Sequence, residues 1–137
     1  MVVNYKKKKP LFSIITAVYN GEKYIEQTIK SVLNQKFKDF EYIIIDGQST
    51  DKTMNIVNKY KNKINLIVSM KDKNLWDALN KGIKLSNGKI IGIINSDDRY
   101  NSNALKIVSN YFLNHKKVDF FFGAVKKNKW GIKDVKK

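Results

Sequence analysis

Cysteine is absent from the 137 residues. That removes disulfide bridges, thiolate metal sites and cysteine nucleophiles together. Proline occurs once, as Pro10, and histidine once, as His115. A histidine-based metal site or a Ser-His-Asp triad has too few parts here, and His115, in a polar stretch, reads as a surface residue. Arginine also occurs once, as Arg99, although basic residues number 27 against 12 acidic. Readers of DNA bases lean on arginine forks. The net charge of +15 therefore speaks for general attraction to polyanions such as nucleic acid, phospholipid headgroups or nucleotides, or for a lysine-rich solvated surface. No apolar run approaches the roughly 20 residues that a bilayer requires. The run Leu11–Val18, behind the basic Met1–Lys9, contains Ser13 and Thr16 and meets Tyr19-Asn20-Gly21, which is no signal-peptide cleavage site. A cytoplasmic protein is expected. Lysine clusters at Lys6–Lys9 and Lys126–Lys137 are able to hold it to an anionic membrane face. Phosphate-cradling glycine loops of the dinucleotide-binding and P-loop kinds are missing too, which argues against nicotinamide enzymes and P-loop ATPases.

What the chain does have is alternation. Leu11 to Val18 reads as a first strand, broken by the turn signal Tyr19-Asn20-Gly21. Glu22 to Asn34 follows as a helix, with Ile25, Ile29, Val32 and Leu33 on one face. Glu41 to Ile45 is a second strand. Ser49, Thr50 and Asp51 are candidate caps for a helix through Met54, Ile56, Val57 and Tyr60. Ile64 to Ser69 is a third strand. Leu75 to Leu85 is a helix with Leu75, Trp76, Leu79 and Ile83 inward, ended by Asn87-Gly88 as a left-handed cap. Ile90 onward is a fourth strand, apolar without alternation, as if buried on both faces. Ser102 or Asn103 caps a last helix carrying Leu105, Ile107, Val108, Tyr111 and Phe112. Val118 to Val125, with Phe120-Phe121-Phe122, reads as a last strand with its aromatics in the core. Such alternation predicts an α/β protein, a mostly parallel sheet with helices on both faces. Residues 1–10 form a basic lead-in, 11–125 the domain and 126–137 a basic tail.

In such a sheet, ligands bind beyond the carboxyl ends of the strands. Three polar clusters fall there: Tyr19-Asn20-Gly21, Asp46-Gly47-Gln48-Ser49-Thr50-Asp51, and Asn95-Ser96-Asp97-Asp98. Each has its own turn or cap explanation; their convergence on one edge is harder to dismiss. Adjacent carboxylates repel and lose hydration, and a divalent cation would offset that. Magnesium favours one or two carboxylates plus substrate phosphates.

Four motifs, in order, carry a resemblance: Ser13-Ile14-Ile15-Thr16-Ala17-Val18-Tyr19-Asn20; Ile45-Asp46-Gly47-Gln48-Ser49-Thr50-Asp51-Lys52-Thr53; Asp72-Lys73-Asn74-Leu75-Trp76-Asp77-Ala78-Leu79-Asn80-Lys81-Gly82; and Asn95-Ser96-Asp97-Asp98. From about Leu11 to about Val125 the chain resembles the family 2 glycosyltransferases, inverting enzymes of Rossmann-like GT-A fold that use nucleotide-sugar donors. The resemblance implies that Ala17 and Tyr19 sit beside the nucleobase, usually uracil. It implies that Asp46 helps recognise base and ribose, and that Asp72 and Lys73 line the donor pocket. It implies a DxD-type acidic motif, with Asp98 as ligand to Mg2+ or Mn2+ and Asp97 toward the ribose or metal. Many members carry a second carboxylate where Gly47 stands. The family's catalytic domains also continue into an acceptor-binding half with a general base, which neither Asp119 nor Asp134 matches.

The expected function is transfer of a sugar from a UDP-linked donor to a glycan or lipid-linked acceptor in cell-surface polysaccharide synthesis, this chain being the donor-binding half. Exposed apolar surface left by a missing half would favour a homodimer. The alternative is a non-catalytic basic module for nucleic acid or anionic membrane on the same scaffold.

Overall fold

The computed structural model describes residues 9–123. Strands and helices alternate through them: β1 Phe12–Val18, α1 Ile25–Leu33, β2 Phe40–Asp46, α2 Thr53–Asn58, β3 Leu66–Ser69, α3 Leu75–Leu85, β4 Ile90–Ile93 and α4 Ala104–Asn114. The strands form one sheet in the order β3-β2-β1-β4, every pairing parallel. β1 therefore lies between β2 and β4, and the direction of winding reverses beside it.

All seven residues of β1 are buried. Successive side chains of a strand point to opposite faces. Phe12, Ile14 and Val18 join one cluster with Ile25, Ile29 and Val32 of α1, Val57 of α2 and Leu105 of α4. Ile15 and Ala17 join the other, with Ala78 and Leu79 of α3. Burying one such isoleucine stabilises the fold by about 1.5–3 kcal/mol. A polar pair sealed within the first layer is satisfied internally: Thr16 Oγ1 and Tyr42 Oη lie 3.0 Å apart.

α3 approaches the sheet closely because Gly82 offers no side chain. A Cβ there would lie 2.5 Å from Ile15 Cγ2. Its inward face is Ala78, Leu79 and Gly82. Leu75 and Trp76, read from the sequence as core, are 50% and 71% exposed, and Ile83 is exposed too. Small residues, not large ones, mark the buried side of a helix held this close.

Three further expectations are corrected. β4 is an edge strand among the described residues, and α3 packs over β1 and β2, so Ile91 and Ile93 are exposed where burial on both faces was expected. Gly88 is no left-handed cap. The helix closes at Ser86, whose Oγ donates to Ile83 O at 2.6 Å, and Gly88 is demanded by close approach, its Cβ position lying 2.4 Å from Ser13 N. Residues 118–123 form no strand, with Phe120 and Phe122 exposed and Phe121 tilted against Tyr111 at 5.2 Å. β-propensity expresses fit to a half-buried pleated surface, and these residues have no neighbouring strand among those described. Val125, the lead-in before Lys9 and the basic tail lie outside the described residues.

Candidate functional site

The chain leaves β1 through Asn20 in the left-handed region, φ 51°, and leaves β2 through Gln48 at φ 62°. Asparagine tolerates that conformation; for glutamine it is strained. The two loops are laced together by reciprocal bonds. Asn20 N donates to Ser49 Oγ at 2.8 Å, and Thr50 N donates to Asn20 Oδ1 at 2.8 Å. Gly21 N donates to Thr53 Oγ1 at 2.8 Å, Glu22 N to Asp51 Oδ2 at 3.1 Å, and Lys52 N to Glu22 Oε2 at 2.8 Å. Of the three expected caps of α2, Asp51 does the work, accepting from Thr53 N at 2.9 Å. Ser49 and Thr50 serve the lacing instead. The result is a fixed platform from which Tyr19 projects, 64% exposed.

The acidic pair sits on a turn after β4, closed by Asp98 N donating to Asn95 O at 3.1 Å. Asp97 and Asp98 are both exposed. The Asp98 carboxylate accepts from Asn95 Nδ2 at 3.1 Å. Polar side chains of α1 and of the segment just after it, Thr28, Ser31 and Gln35, hold this turn. Thr28 Oγ1 donates to Ser96 O at 2.9 Å and to Asp98 O at 2.7 Å. Ser31 Oγ accepts from Tyr100 N at 3.1 Å. Gln35, fully buried, donates to Asn101 O at 2.7 Å and accepts from Leu105 N at 3.0 Å. Gln35 thus supplies α4 with the cap that was expected of Ser102 or Asn103, neither of which caps with its side chain. The sequence reading passed over Thr28, Ser31 and Gln35. Their signal was polar residues at helical spacing beside an apolar face, where core would be expected.

Ala17 from β1, Tyr19, Asn20, Gly21 and Tyr24 from the segment after it, Leu75 from α3, and Asn95, Ser96 and Asp97 from the turn line one cleft of about 400 Å³. That is within the size range of small-ligand sites, and it opens where the winding reverses. Another hollow, of about 510 Å³, lies between α1 and α2, lined by Glu22, Lys23, Glu26, Lys52, Asn55, Ile56 and Lys59. It holds surface charges of both signs and borders the laced loops at Glu22 and Lys52.

Of the residues singled out from the sequence, Ala17, Tyr19 and Asp97 meet in the cleft and Asp98 stands on the same turn. Asp46, the last residue of β2, is not part of the cleft's lining; it is fully buried, accepting from Ser69 Oγ at 2.6 Å and from Ser49 N at 3.2 Å. Lys73 is exposed, and its backbone N–H donates to Asp77 Oδ2 at 3.0 Å, helping cap α3 with Asn74. Asp77's carboxyl is held below its ordinary value by that Lys73 N–H first and then by Lys81. No group of three or more His, Cys, Asp or Glu side chains that could hold a metal ion occurs among the described residues. Asp97 and Asp98 alone fit a cation that takes its remaining ligands from phosphate and water.

A parallel α/β sheet with a polar cleft at its switch point defines the class of doubly wound ligand-binding domains. Within it, residues 13–136 match the family model described as glycosyl transferase family 2, and the chain belongs to that family. It is 37% identical to the poly(ribitol-phosphate) beta-N-acetylglucosaminyltransferase TarS of Staphylococcus aureus over 76% of this chain and 19% of that protein. It is 38% identical to the minor teichoic acid biosynthesis protein GgaA of Bacillus subtilis over 80% of this chain and 26% of that protein. The crystal structure of S. aureus TarS 1–349 with UDP-GlcNAc superimposes with a TM-score of 0.72 at 34% identity, over 77% of this chain and 32% of that one. The chain spans well under two thirds of each of these relatives. Among the described residues, no helix is long and apolar enough to cross a membrane.

Proposed function

We propose that this chain binds the donor of a glycosyltransferase, a UDP-linked sugar, for inverting transfer to a glycan or lipid-linked acceptor in cell-surface polysaccharide synthesis. The observation that carries the reading is the single cleft in which Ala17, Tyr19 and Asp97 meet at the switch point. Support also comes from the UDP-GlcNAc in the TarS complex, from the poly(ribitol-phosphate) N-acetylglucosaminyltransferase named for TarS and from the minor teichoic acid biosynthesis named for GgaA.

Each part of the cleft has a task. The exposed Tyr19 ring offers a stacking face for a base, and Ala17 leaves room for it. Asp46, pinned by Ser49 and Ser69, fixes the loop that the base lies against. Asp98, with Asp97, would hold Mg2+ or Mn2+. Such a cation supplies charge stabilisation for a leaving diphosphate. No general base is assigned: Asp119 is exposed beyond α4, and Asp134 lies outside the described residues. The lysine clusters read from the sequence support a seat against anionic lipid headgroups.

Calorimetry of UDP and UDP-GlcNAc binding, with and without Mn2+, tests the proposal. Binding is expected to strengthen with Mn2+, and Asp98→Ala is expected to abolish that gain. Equal affinity with and without metal in the unaltered chain overturns the metal assignment. Absence of uridine nucleotide binding under every condition overturns the proposal itself.

A further inference from the structure

We infer, resting on that reading's seat at anionic lipid, that the end of the sheet opposite the cleft is a cationic surface that docks flat on a phospholipid bilayer. With every pairing parallel, the loops that enter the strands share one end of the sheet. They lie side by side there. Leu11 N donates to Asp39 O at 3.2 Å, Lys89 N to Pro10 O at 3.3 Å and Asn65 N to Tyr42 O at 3.0 Å. They carry Lys9 before β1, Lys36 and Lys38 before β2, and Lys61 and Lys63 before β3. Lys84, in the last turn of α3, and Lys89 stand before β4. All seven are exposed.

Little opposes them. The carboxylates at this end are Asp39 and Glu41, and Glu41 already accepts from Ser13 Oγ and Asn87 N. The ion pairs among the described residues, Lys30 with Glu26 and Lys81 with Asp77, involve none of the seven. Asp46, Asp51, Asp72, Asp97 and Asp98 all lie in the loops at the cleft end. Charge is therefore polarised along the strands. A lysine-rich composition alone would scatter it over both ends.

The surroundings select lipid over nucleic acid. Arg99, the only arginine, follows the acidic turn at the cleft end. No exposed aromatic ring stands among the seven lysines to stack on a base. Neither hollow described above is lined by any of them. Leu85, 43% exposed beside Lys84, adds an apolar contact suited to headgroups and acyl chains. Lysines near an anionic membrane surface are attracted within a Debye length. β1 has seven residues, roughly 23 Å at 3.3 Å each. Docking at its start holds the donor cleft clear of the headgroups and open to solvent.

Sedimentation with mixed phosphatidylcholine–phosphatidylglycerol vesicles tests this, using the full chain and two variants of equal net charge. One carries Lys61→Gln, Lys63→Gln, Lys84→Gln and Lys89→Gln, and thermal melting establishes that it is folded. Each lysine at an anionic surface contributes about fivefold, so vesicle affinity should fall on the order of a hundredfold or more, with UDP binding unchanged. The other carries Lys23→Gln, Lys52→Gln, Lys59→Gln and Lys71→Gln, and should keep most of its vesicle binding. Equal loss in the two variants overturns the proposal in favour of net charge. Undiminished binding in the first overturns it in favour of the chain termini. Tighter binding of a single-stranded oligonucleotide than of vesicles, lost in the first variant, overturns the choice of lipid. Failure of the unaltered chain to bind these vesicles overturns the surface and leaves the donor reading standing. Vesicle binding without uridine nucleotide binding does the reverse.

Discussion

Thr28→Val isolates the grip of α1 on the acidic turn. Valine keeps the shape of threonine, and the two have similar helix propensities, so α1 itself should persist. What disappears is one hydroxyl, whose proton is shared between Ser96 O at 2.9 Å and Asp98 O at 2.7 Å. A hydrogen bond contributes about 1 kcal/mol net, and an orphaned buried partner costs about 1–3 kcal/mol. Ser96 is half-buried and Asp98 exposed, so water recovers part of that cost. The expected destabilisation is about 1–2 kcal/mol, read as a lower denaturation midpoint. The turn keeps the Asn95 contacts and the Tyr100–Ser31 bond, so it loosens without unfolding. A ligand that needs the closed turn then binds more weakly in proportion to the closed population. A bias of ~1.4 kcal/mol corresponds to tenfold. Mn2+-dependent UDP affinity should fall by up to about tenfold, and metal-free binding should change little. Thr28→Ser, which retains the hydroxyl, should restore the metal-dependent part. Unchanged melting together with unchanged Mn2+-UDP affinity in Thr28→Val would refute the reasoning.

Two other perturbations probe the frame. Burial pushes the Glu41 carboxyl up, but donation from the Ser13 hydroxyl and from Asn87 and Gly88 outweighs it and leaves the group below its ordinary value of 4.5. A lowered folded value stabilises above the unfolded one, and that stability is lost as pH falls through the folded value. Glu41→Gln should therefore flatten the acid limb of stability, the loss as pH falls below the ordinary glutamate range, measured by urea midpoints. Gly82→Ala should drive a methyl into Ile15 Cγ2. Overpacking costs about 1–3 kcal/mol and the helix-propensity gain returns about 1, so a lower melting temperature is expected; a rise would show that α3 can lift from the sheet freely.

Much of this frame was legible in the sequence. Periodicity placed α3 at Leu75–Leu85, the span observed, although the helix closes at Ser86 and not through the Asn87-Gly88 cap expected of it. Local pattern also located β1 and β2 to within a residue or so at each end. It failed where the neighbour decides. The apolar run of β4 looks alike whether it is central or at an edge, so the exposure of Ile91 and Ile93 was hidden. Trp76 lies beside Leu75 in an apolar pattern, yet Trp76 is exposed and Leu75, on the first turn of α3, lines the cleft and does not enter the core. Tyr19 and Asp97 meet in one cleft because loops after parallel strands converge on one edge. The burial of Asp46 was not legible: its partners Ser49 and Ser69 come from opposite sides, one local and one across the sheet. Gln35 was missed because its bonds span 66 and 70 residues of sequence.

The lacing of Asn20 with Ser49 and Thr50, and of Glu22 with Asp51 and Lys52, has a bearing on any attempt to re-engineer ligand preference. Neither connection is an independent module. Transplanting one from a relative would bring donors whose acceptors remain in the recipient's other segment, so the foreign piece would arrive unanchored. A chimera made by exchanging 19–22 and 48–53 as a matched set keeps both halves of the stitch.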